Sequence, residues 1–161
     1  PGYRLGWIAG GRFAEAVRNR KITTSLATSI PIQAAISRYL DTGVFDRHLG
    51  RLRRTLARQQ ATLLSALERY FPDGCSWSRP AGGYQIWVQL PAGTNALDLQ
   101  ARALEHDVSL APGPIFSARR GFSQALRLNY GHPWTAATDN AVRLIGELID
   151  EQCGRRTGRR R

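Results

Sequence analysis

The sequence predicts an α+β fold in which helices cover one face of a small sheet. Helical spacing of apolar residues dominates the first seventy positions, whereas strand and helix patterns alternate in the remainder. The chain has 161 residues, of which 42% are hydrophobic. A chain of that length and composition buries enough apolar surface to form a core.

The first forty residues predict one strand and two helices. Tyr3–Gly11 is typical of a strand that stops at two glycines, and Arg12–Arg20 has helical spacing. Thr23–Ser29 is a polar connection of small residues. Pro31 suits the first turn of a second helix, which we expect to end near Thr42.

A long amphipathic helix is predicted after Gly43, extending through Arg69. Its leucines recur at helical intervals, at Leu49, Leu52, Leu56, Leu63 and Leu67. Arginines form a stripe on the opposite face, at Arg47, Arg51, Arg54 and Arg58. Such a stripe either binds phosphate backbones or is a solvated face, and no aromatic residues alternate with it to stack on single-stranded bases.

The second half predicts four strands and two helices. The strands are expected at Cys75–Ser78, Tyr84–Leu90, Val108–Ala111 and Ala125–Tyr130, and the helices at Ala96–Glu105 and Thr135–Gln152. Asn95 or Thr94 is the predicted N-cap of the first of these helices. Alternation along Ala125–Tyr130 places Leu126, Leu128 and Tyr130 on one face, with Arg127 and Asn129 on the other.

Two arginines stand within predicted apolar strands, Arg127 between two leucines and Arg4 near Gly2 and Gly6. An unpaired buried charge is costly, so each guanidinium should pair with a carboxylate or line a cleft. The guanidinium fork also matches a ligand carboxylate or phosphate bidentately. A structural salt bridge, or an edge strand that exposes the arginine to water, is the alternative for both residues.

Charge and composition exclude several classes of protein. The net charge is +11, but five of the 23 basic residues lie in the last seven positions, RRTGRRR. This tail is expected to be disordered, either without a role or as an electrostatic arm for nucleic acid or membrane. Two cysteines and three scattered histidines provide no disulfide framework and no metal-ligand spacing. No apolar run is long enough to span a membrane, and a reducing cytoplasm is the expected compartment.

Four motifs, in order along the chain, resemble those of one enzyme class. PGYRLGW at residues 1–7 resembles the segment after the Schiff-base lysine of fold-type I pyridoxal-phosphate aminotransferases. RPAGGYQIWVQLP at 79–91, LAPGPIFSA at 110–118 and LRLNYGHPW at 126–134 resemble small-domain motifs of that class. The series is most similar to the aminotransferase-like domain of MocR-type regulators, GntR-family factors with a winged helix-turn-helix ahead of it.

The resemblance implies roles for the two arginines and a division of the chain. Arg4 would contact the phosphate of pyridoxal 5'-phosphate, and Arg127 would hold the α-carboxylate of an amino-acid substrate or effector. Residues 1–30 would be a strand and a helix left from the large cofactor-binding domain. Residues 31–153 would be the long interdomain helix and the small C-terminal domain, and residues 154–161 the disordered arginine tail.

The sequence is also expected to be part of a longer protein, because it starts at Pro1 and has no methionine. In the resembled family the Schiff-base lysine precedes the PGYRLG motif, and Lys21, the one lysine here, does not match it. We therefore expect no transamination by this chain alone. The intact protein would be a homodimer that recognises an amino-acid-like molecule and binds DNA through an N-terminal domain. A free-standing class I/II aminotransferase and a basic nucleic-acid-binding module are the alternatives.

Overall fold

The computed structural model describes residues 2–157, with side chains through 154. It contains five α-helices and four short strands within that range. The helices are α1 (Ala14–Ser25), α2 (Ile30–Asp41), α3 (Val44–Tyr70), α4 (Ala96–Leu104) and α5 (Ala136–Thr157). The strands are β1 (Ser76–Trp77), β2 (Gln85–Gln89), β3 (Ala111–Pro112) and β4 (Ala125–Asn129). The predicted α+β class is confirmed, and so are the other five elements of the second half, whereas the strand predicted at Val108–Ala111 forms later, at Ala111–Pro112.

The chain forms two compact units that divide within α3, one ending at Arg51 and the other beginning at Leu52. This division differs from the boundary at residue 30 predicted above. That boundary concerns the domains of an intact protein and stays a prediction.

The first unit consists of a short 3-10 turn at Gly11–Phe13 followed by α1, α2 and the start of α3. Pro31 lies in the first turn of α2, as predicted, because its missing N–H has no helical partner to lose there. α1 continues to Ser25, five residues beyond the predicted end. Neither α1 nor α2 buries a residue.

The predicted strand at Tyr3–Gly11 is wrong. Residues 4–10 have no regular secondary structure, and Arg4 has a φ of +51°, in the left-handed region that a strand excludes. A strand needs a neighbouring strand to pair its N–H and C=O groups. Within the described part of the first unit no such neighbour is present.

The second unit is built on one antiparallel sheet with strand order β1-β2-β4-β3. β2 and β4 pair along their whole length, which places Ile86 opposite Leu128 and Trp87 opposite Arg127. β3 pairs with only the first half of β4, placing Ala111 opposite Arg127. Arg127 therefore has a cross-strand neighbour on each side.

The core lies between one face of this sheet and the helices of the second unit. The fully buried side chains are inward-facing strand residues and apolar helix residues: Leu67, Ile86, Val88, Leu90, Leu99, Leu126 and Ile149. The residues that alternate with them, Trp87 and Arg127 among them, are not buried. The predicted arrangement, with helices on one face of the sheet, is confirmed. Trp87 and Arg127 lie on the other face.

Two details of the helices fix this packing. Asn95 caps α4, since its side-chain oxygen accepts the backbone N–H of Leu97 at 2.9 Å. Gly146 in α5 lies directly against the carbonyl of Tyr70, and a β-carbon there would sit 2.9 Å from the carbonyl carbon. The cap thus stabilises the start of α4, and the close backbone approach packs α5 against the end of α3.

α5 extends to Thr157, beyond the predicted end at Gln152. The first four residues of the predicted disordered tail, 154–157, are therefore helical, and residues 158–161 lie outside the described residues. Within the described part of the chain, no helix combines the length and apolar character that crossing a bilayer requires.

Candidate functional site

Arg127 occupies the middle of β4 on the sheet face opposite the helices. It is half-buried, flanked in sequence by the buried Leu126 and Leu128. Within the described residues its guanidinium forms no salt bridge, so the structural ion pair considered above is not what holds it. A cation fixed on a central strand without an internal carboxylate is suited to an anionic ligand.

An aromatic cluster surrounds this guanidinium. The Cζ atom of Arg127 lies over the ring of Phe116, 4.1 Å from its centroid, in cation–π geometry. Trp87, directly opposite Arg127 on β2, contacts Phe116 and Phe122 edge to face, with centroid separations of 6.0 and 5.4 Å. On the β3 side the opposing residue is Ala111, which has a small side chain.

The loop after β3 brings the aromatic rings to this position. The 3-10 turn Gly113–Phe116 returns the chain over β4. Ser117 Oγ then accepts the backbone N–H groups of Arg119 and Gly121, which folds the loop into a compact turn. Gly113 is buried against Phe122, so closely that a β-carbon would lie 2.7 Å from the Phe122 Cβ atom. The LAPGPIFSA motif therefore encodes a specific loop shape.

A cavity of about 400 Å³ opens beside the second half of β4, where β3 no longer pairs with it. Arg127 and Asn129 line one wall, and His132 and Trp134 of the loop after β4 line another. Gln59 also lines the cavity, and its Oε1 atom is buried with no hydrogen-bond partner in the described residues. Core residues Leu63, Leu128, Val142 and Ile145 line the rest of it, so the cavity extends toward the helices and Arg127 borders it.

Arg4 lies in the first unit and is exposed. It lies in an irregular segment and not in the predicted apolar strand. Its guanidinium forms no ion pair within the described residues, so it remains available to an anion. Arg4 and Arg127 lie in separate compact units of the chain.

The arginine stripe of α3 is exposed along its length at Arg47, Arg51, Arg54 and Arg58. This exposure fits both a solvated face and a phosphate-binding face. Among the described residues no group of three or more potential metal ligands occurs. The two cysteines are free thiols, and burial raises the pKa of Cys75 to about 11, with Cys153 contributing further.

Sequence reasoning singled out Arg127 as a candidate but assigned no role to the aromatic residues around it. Phe116, Trp87 and Phe122 were not assigned a role, although Phe116 lies in a motif that had been noted. Trp87 could have been paired with Arg127 by register, because both occupy the outward face of adjacent strands. Phe116 depends on the path of a loop, which no periodicity in the sequence encodes.

Comparison with known proteins relates the chain to aminotransferases and to HTH-type transcriptional regulators. The family model for class I and II aminotransferases matches residues 1–145. The chain is 38% identical to the uncharacterized HTH-type transcriptional regulator YdcR of Escherichia coli over 152 residues, covering 94% of this chain and 32% of that protein. It is 29% identical to aromatic-amino-acid aminotransferase 1 of Thermococcus litoralis, covering 94% of this chain and 37% of that one.

The fold agrees with a solved aminotransferase. The kynurenine aminotransferase of Pyrococcus horikoshii, solved in complex with PMP, superposes with a TM-score of 0.84 at 30% identity, covering 94% of this chain and 38% of that one. The chain thus spans about a third of the length of the curated relatives it matches. Both regulators and aminotransferases are among its relatives, and the expected fold is confirmed. The chain belongs to the class I and II aminotransferase family.

Proposed function

We propose that this chain is the effector-binding and cofactor-binding part of a MocR-like, GntR-family transcriptional regulator. The observation that carries the proposal is Arg127, a guanidinium on a central strand with no internal carboxylate partner in the described residues. The 38% identity to an HTH-type regulator over nearly the whole chain supports the regulator assignment. A DNA-binding domain elsewhere in a longer, cytoplasmic protein would supply the contact with DNA.

In this proposal Arg127 binds the α-carboxylate of an amino acid. Two parallel N–H donors of the guanidinium match the two carboxylate oxygens, and such charge-assisted pairs are stronger than neutral hydrogen bonds. β4 fixes the backbone of Arg127, and its cross-strand neighbour on the β3 side, Ala111, is small. The adjacent cavity admits the remainder of a small molecule.

The residues present fit pyridoxal 5'-phosphate in one respect. Arg4 is exposed and forms no ion pair in the described residues, so its guanidinium is free to hold the phosphate group. When bound, this cofactor supplies an aldehyde that reacts with amino groups. Arg4 acts in this account only as an electrostatic anchor for the phosphate.

We also infer that the 161-residue polypeptide does not catalyse transamination by itself. Its one lysine, Lys21, lies in α1, fourteen or more residues after the motif that the cofactor-binding lysine precedes in the family. Without a lysine in that position the polypeptide has no covalent attachment for the cofactor. Incubation with pyridoxal 5'-phosphate, an L-amino acid and a 2-oxo acid should give no turnover above the rate without protein.

Substitution of Arg4 tests the cofactor assignment in the full-length protein. We expect Arg4→Ala to release pyridoxal 5'-phosphate during dialysis, because the phosphate loses a charged partner, while the fold is preserved. Visible absorbance measures retention and far-ultraviolet circular dichroism measures the fold. Exposed Arg38→Ala, in the same unit, is the matched control. Equal retention by the two variants would refute the role of Arg4.

The alternative is a free-standing aminotransferase, favoured by the identity to aromatic-amino-acid aminotransferase 1. The two functions differ in what an amino acid does to the full-length, cofactor-loaded protein. A regulator shows amino-acid-dependent DNA binding in a gel-shift assay and slow or absent turnover with amino-acid and 2-oxo-acid pairs. Multiple turnovers without any DNA binding would favour the enzyme. A homodimer is part of both proposals, and sedimentation of the full-length protein measures it.

The third possibility, a basic module that binds nucleic acid, rests on the exposed arginine stripe of α3. Binding through that stripe would weaken steeply as salt rises, because each neutralised phosphate releases counterions. Salt-dependent DNA binding by the 161-residue polypeptide, lost when Arg54 and Arg58 are changed to glutamine, would favour this function.

A further inference from the structure

Phe116 contacts the guanidinium of Arg127. Its ring lies under the guanidinium carbon at 4.1 Å, within the range of a favourable cation–π contact. The ring is 38% exposed, so it is not held there merely as part of the hydrophobic core. Within the described residues no salt bridge competes with the ring for this cation.

A contact between the Phe116 ring and the face of the guanidinium would leave the hydrogen-bonding edge of the guanidinium free. A ring beneath the plane of a guanidinium contacts its face, whereas the N–H groups that bind a carboxylate point outward within that plane. Phe116 can therefore restrict the rotamers of Arg127 without occupying its hydrogen-bond donors. A long arginine side chain loses rotamer entropy when it is fixed, and a contact that fixes it beforehand reduces that loss on binding.

The position of Phe116 is itself determined by its neighbours. Trp87 contacts the Phe116 ring edge to face, and Phe122 contacts Trp87 from the loop that follows. Gly113 allows that loop to approach closely, since any side chain there would collide with Phe122. The ring beneath Arg127 thus belongs to a built arrangement that joins β2 to the loop after β3.

We propose that Phe116 is a positioning residue that orients the Arg127 guanidinium for a ligand carboxylate through a cation–π contact. The inference rests on the proposed role of Arg127 and extends it to the residue that prepares that role. Phe116 itself does not touch the carboxylate in this account. Its effect should therefore be confined to ligands that carry a carboxylate.

The test compares amino acids with the amines that lack only the carboxylate. The probes are L-alanine with ethylamine, L-leucine with 3-methylbutylamine, and L-phenylalanine with 2-phenylethylamine. Each is titrated into the full-length protein loaded with pyridoxal 5'-phosphate. The readout is carboxylate discrimination, the ratio of the dissociation constant of the amine to that of its amino acid. Loss of structural integrity alone weakens the binding of both ligands and leaves this ratio unchanged.

Phe116→Leu removes the π face at similar volume and should lower the discrimination roughly 3- to 30-fold, the range of a cation–π contact. Phe116→Met is a second ring-free variant with the same expectation, should the leucine variant fold poorly. Phe116→Tyr keeps the ring and should restore discrimination. Phe45→Leu is the matched control, because Phe45 contacts Tyr39 and lies outside the aromatic cluster around Arg127, and it should leave the ratio unchanged.

The same substitutions in an Arg127→Gln background separate the two claims. Phe116→Leu should have no further effect there, because no cation remains to be oriented. An equal loss of discrimination with and without Arg127, or unchanged discrimination in both ring-free variants, would overturn the role of Phe116 while Arg127 kept its own. If Arg127→Gln alone leaves discrimination unchanged, both the carboxylate site and this inference are overturned.

Discussion

At the scale of single residues, Arg127 shows how a strand can present a charge without internal neutralisation. The leucines on either side turn into the core, so alternation directs Arg127 to the opposite face. This much could be predicted from the sequence, because period-two patterning fixes which side chains share a face. The partner of the cation could not be predicted, since Phe116 reaches it through a loop eleven residues earlier in the chain.

Cys75 provides a prediction about pH. Burial raises the pKa of its thiol from 9.0 to about 11. Since the folded state holds this proton more tightly than the unfolded state, the associated stability is present below pH 9 and is lost as the pH rises through 11. We expect the wild-type polypeptide to lose about 1 kcal/mol more than Cys75→Ala across this interval, after allowance for partial solvent screening.

Urea unfolding followed by tryptophan fluorescence, at pH 8, 9, 10 and 11 under reducing conditions, measures this difference. Cys75→Ala serves as the reference because it retains Cys153 and every tyrosine. Parallel pH profiles for the two proteins would mean that the Cys75 thiol is as easily ionised in the folded chain as in the unfolded one.

At the scale of elements, helix propensity and packing predict opposite changes in stability for Gly146→Ala. Helix propensity alone favours alanine over glycine by about 1 kcal/mol in α5. However, a β-carbon at position 146 would collide with the Tyr70 backbone and lie 3.5 Å from the Phe71 ring. We expect Gly146→Ala to destabilise the polypeptide by about 1–3 kcal/mol, as overpacking does.

The control for this substitution is Glu147→Ala, one position along the same helix. Glu147 is exposed and, among the residues that the structure describes, forms its ion pair with Arg143 at 2.7 Å, so its loss should change stability by less than about 0.5 kcal/mol. Chemical denaturation of the three proteins gives the comparison. A more stable Gly146→Ala variant would show that α5 does not approach α3 as closely as the structure indicates.

Asn95 tests the start of α4. Its side-chain oxygen accepts the N–H groups of Leu97 and Asp98, so Asn95→Ala leaves two backbone donors without that partner. The expected cost is about 1 kcal/mol in the free energy of unfolding, measured by urea denaturation. Asn95→Asp preserves the acceptor and should remain within a few tenths of a kcal/mol of wild type. An alanine variant as stable as the aspartate variant would exclude the cap.

The elements also show where sequence reasoning succeeds and where it fails. Helices α2, α3 and α4 and strands β2 and β4 follow local periodicity, and their predicted limits agree with the structure to within two residues. The segment at Tyr3–Gly11 has an equally strand-like composition. Whether it forms a strand depends on a partner strand distant in sequence, which its own residues do not reveal. The end of α5 was missed for a different reason, because arginines favour helix and no proline ends it.

At the scale of the whole molecule, the first unit exposes apolar side chains that a stable unit would cover. Trp7, Ile8, Leu26 and Ile30 are between 73% and 79% exposed. This exposure predicts that the isolated 161-residue polypeptide self-associates, because large apolar surface is rarely left in water.

Light scattering at increasing protein concentration measures this association. We expect a dimer or larger species, and we expect the variant carrying both Trp7→Ser and Ile8→Ser to shift toward monomer. As a control, Arg51→Ser changes an exposed polar residue of the same unit and should leave the size unchanged. A monodisperse wild-type monomer across the micromolar range would contradict the expectation.

The central claim is that Arg127 holds the α-carboxylate of an amino acid in the full-length protein. Calorimetric titration of the cofactor-loaded protein with L-amino acids, compared between wild type and Arg127→Gln, tests it most directly. Exposed Arg79→Gln is the matched control. Loss of a charge-assisted pair should weaken binding by about 1–3 kcal/mol, roughly 5- to 150-fold, in the Arg127 variant alone. Equal affinities in wild type and Arg127→Gln would contradict the account.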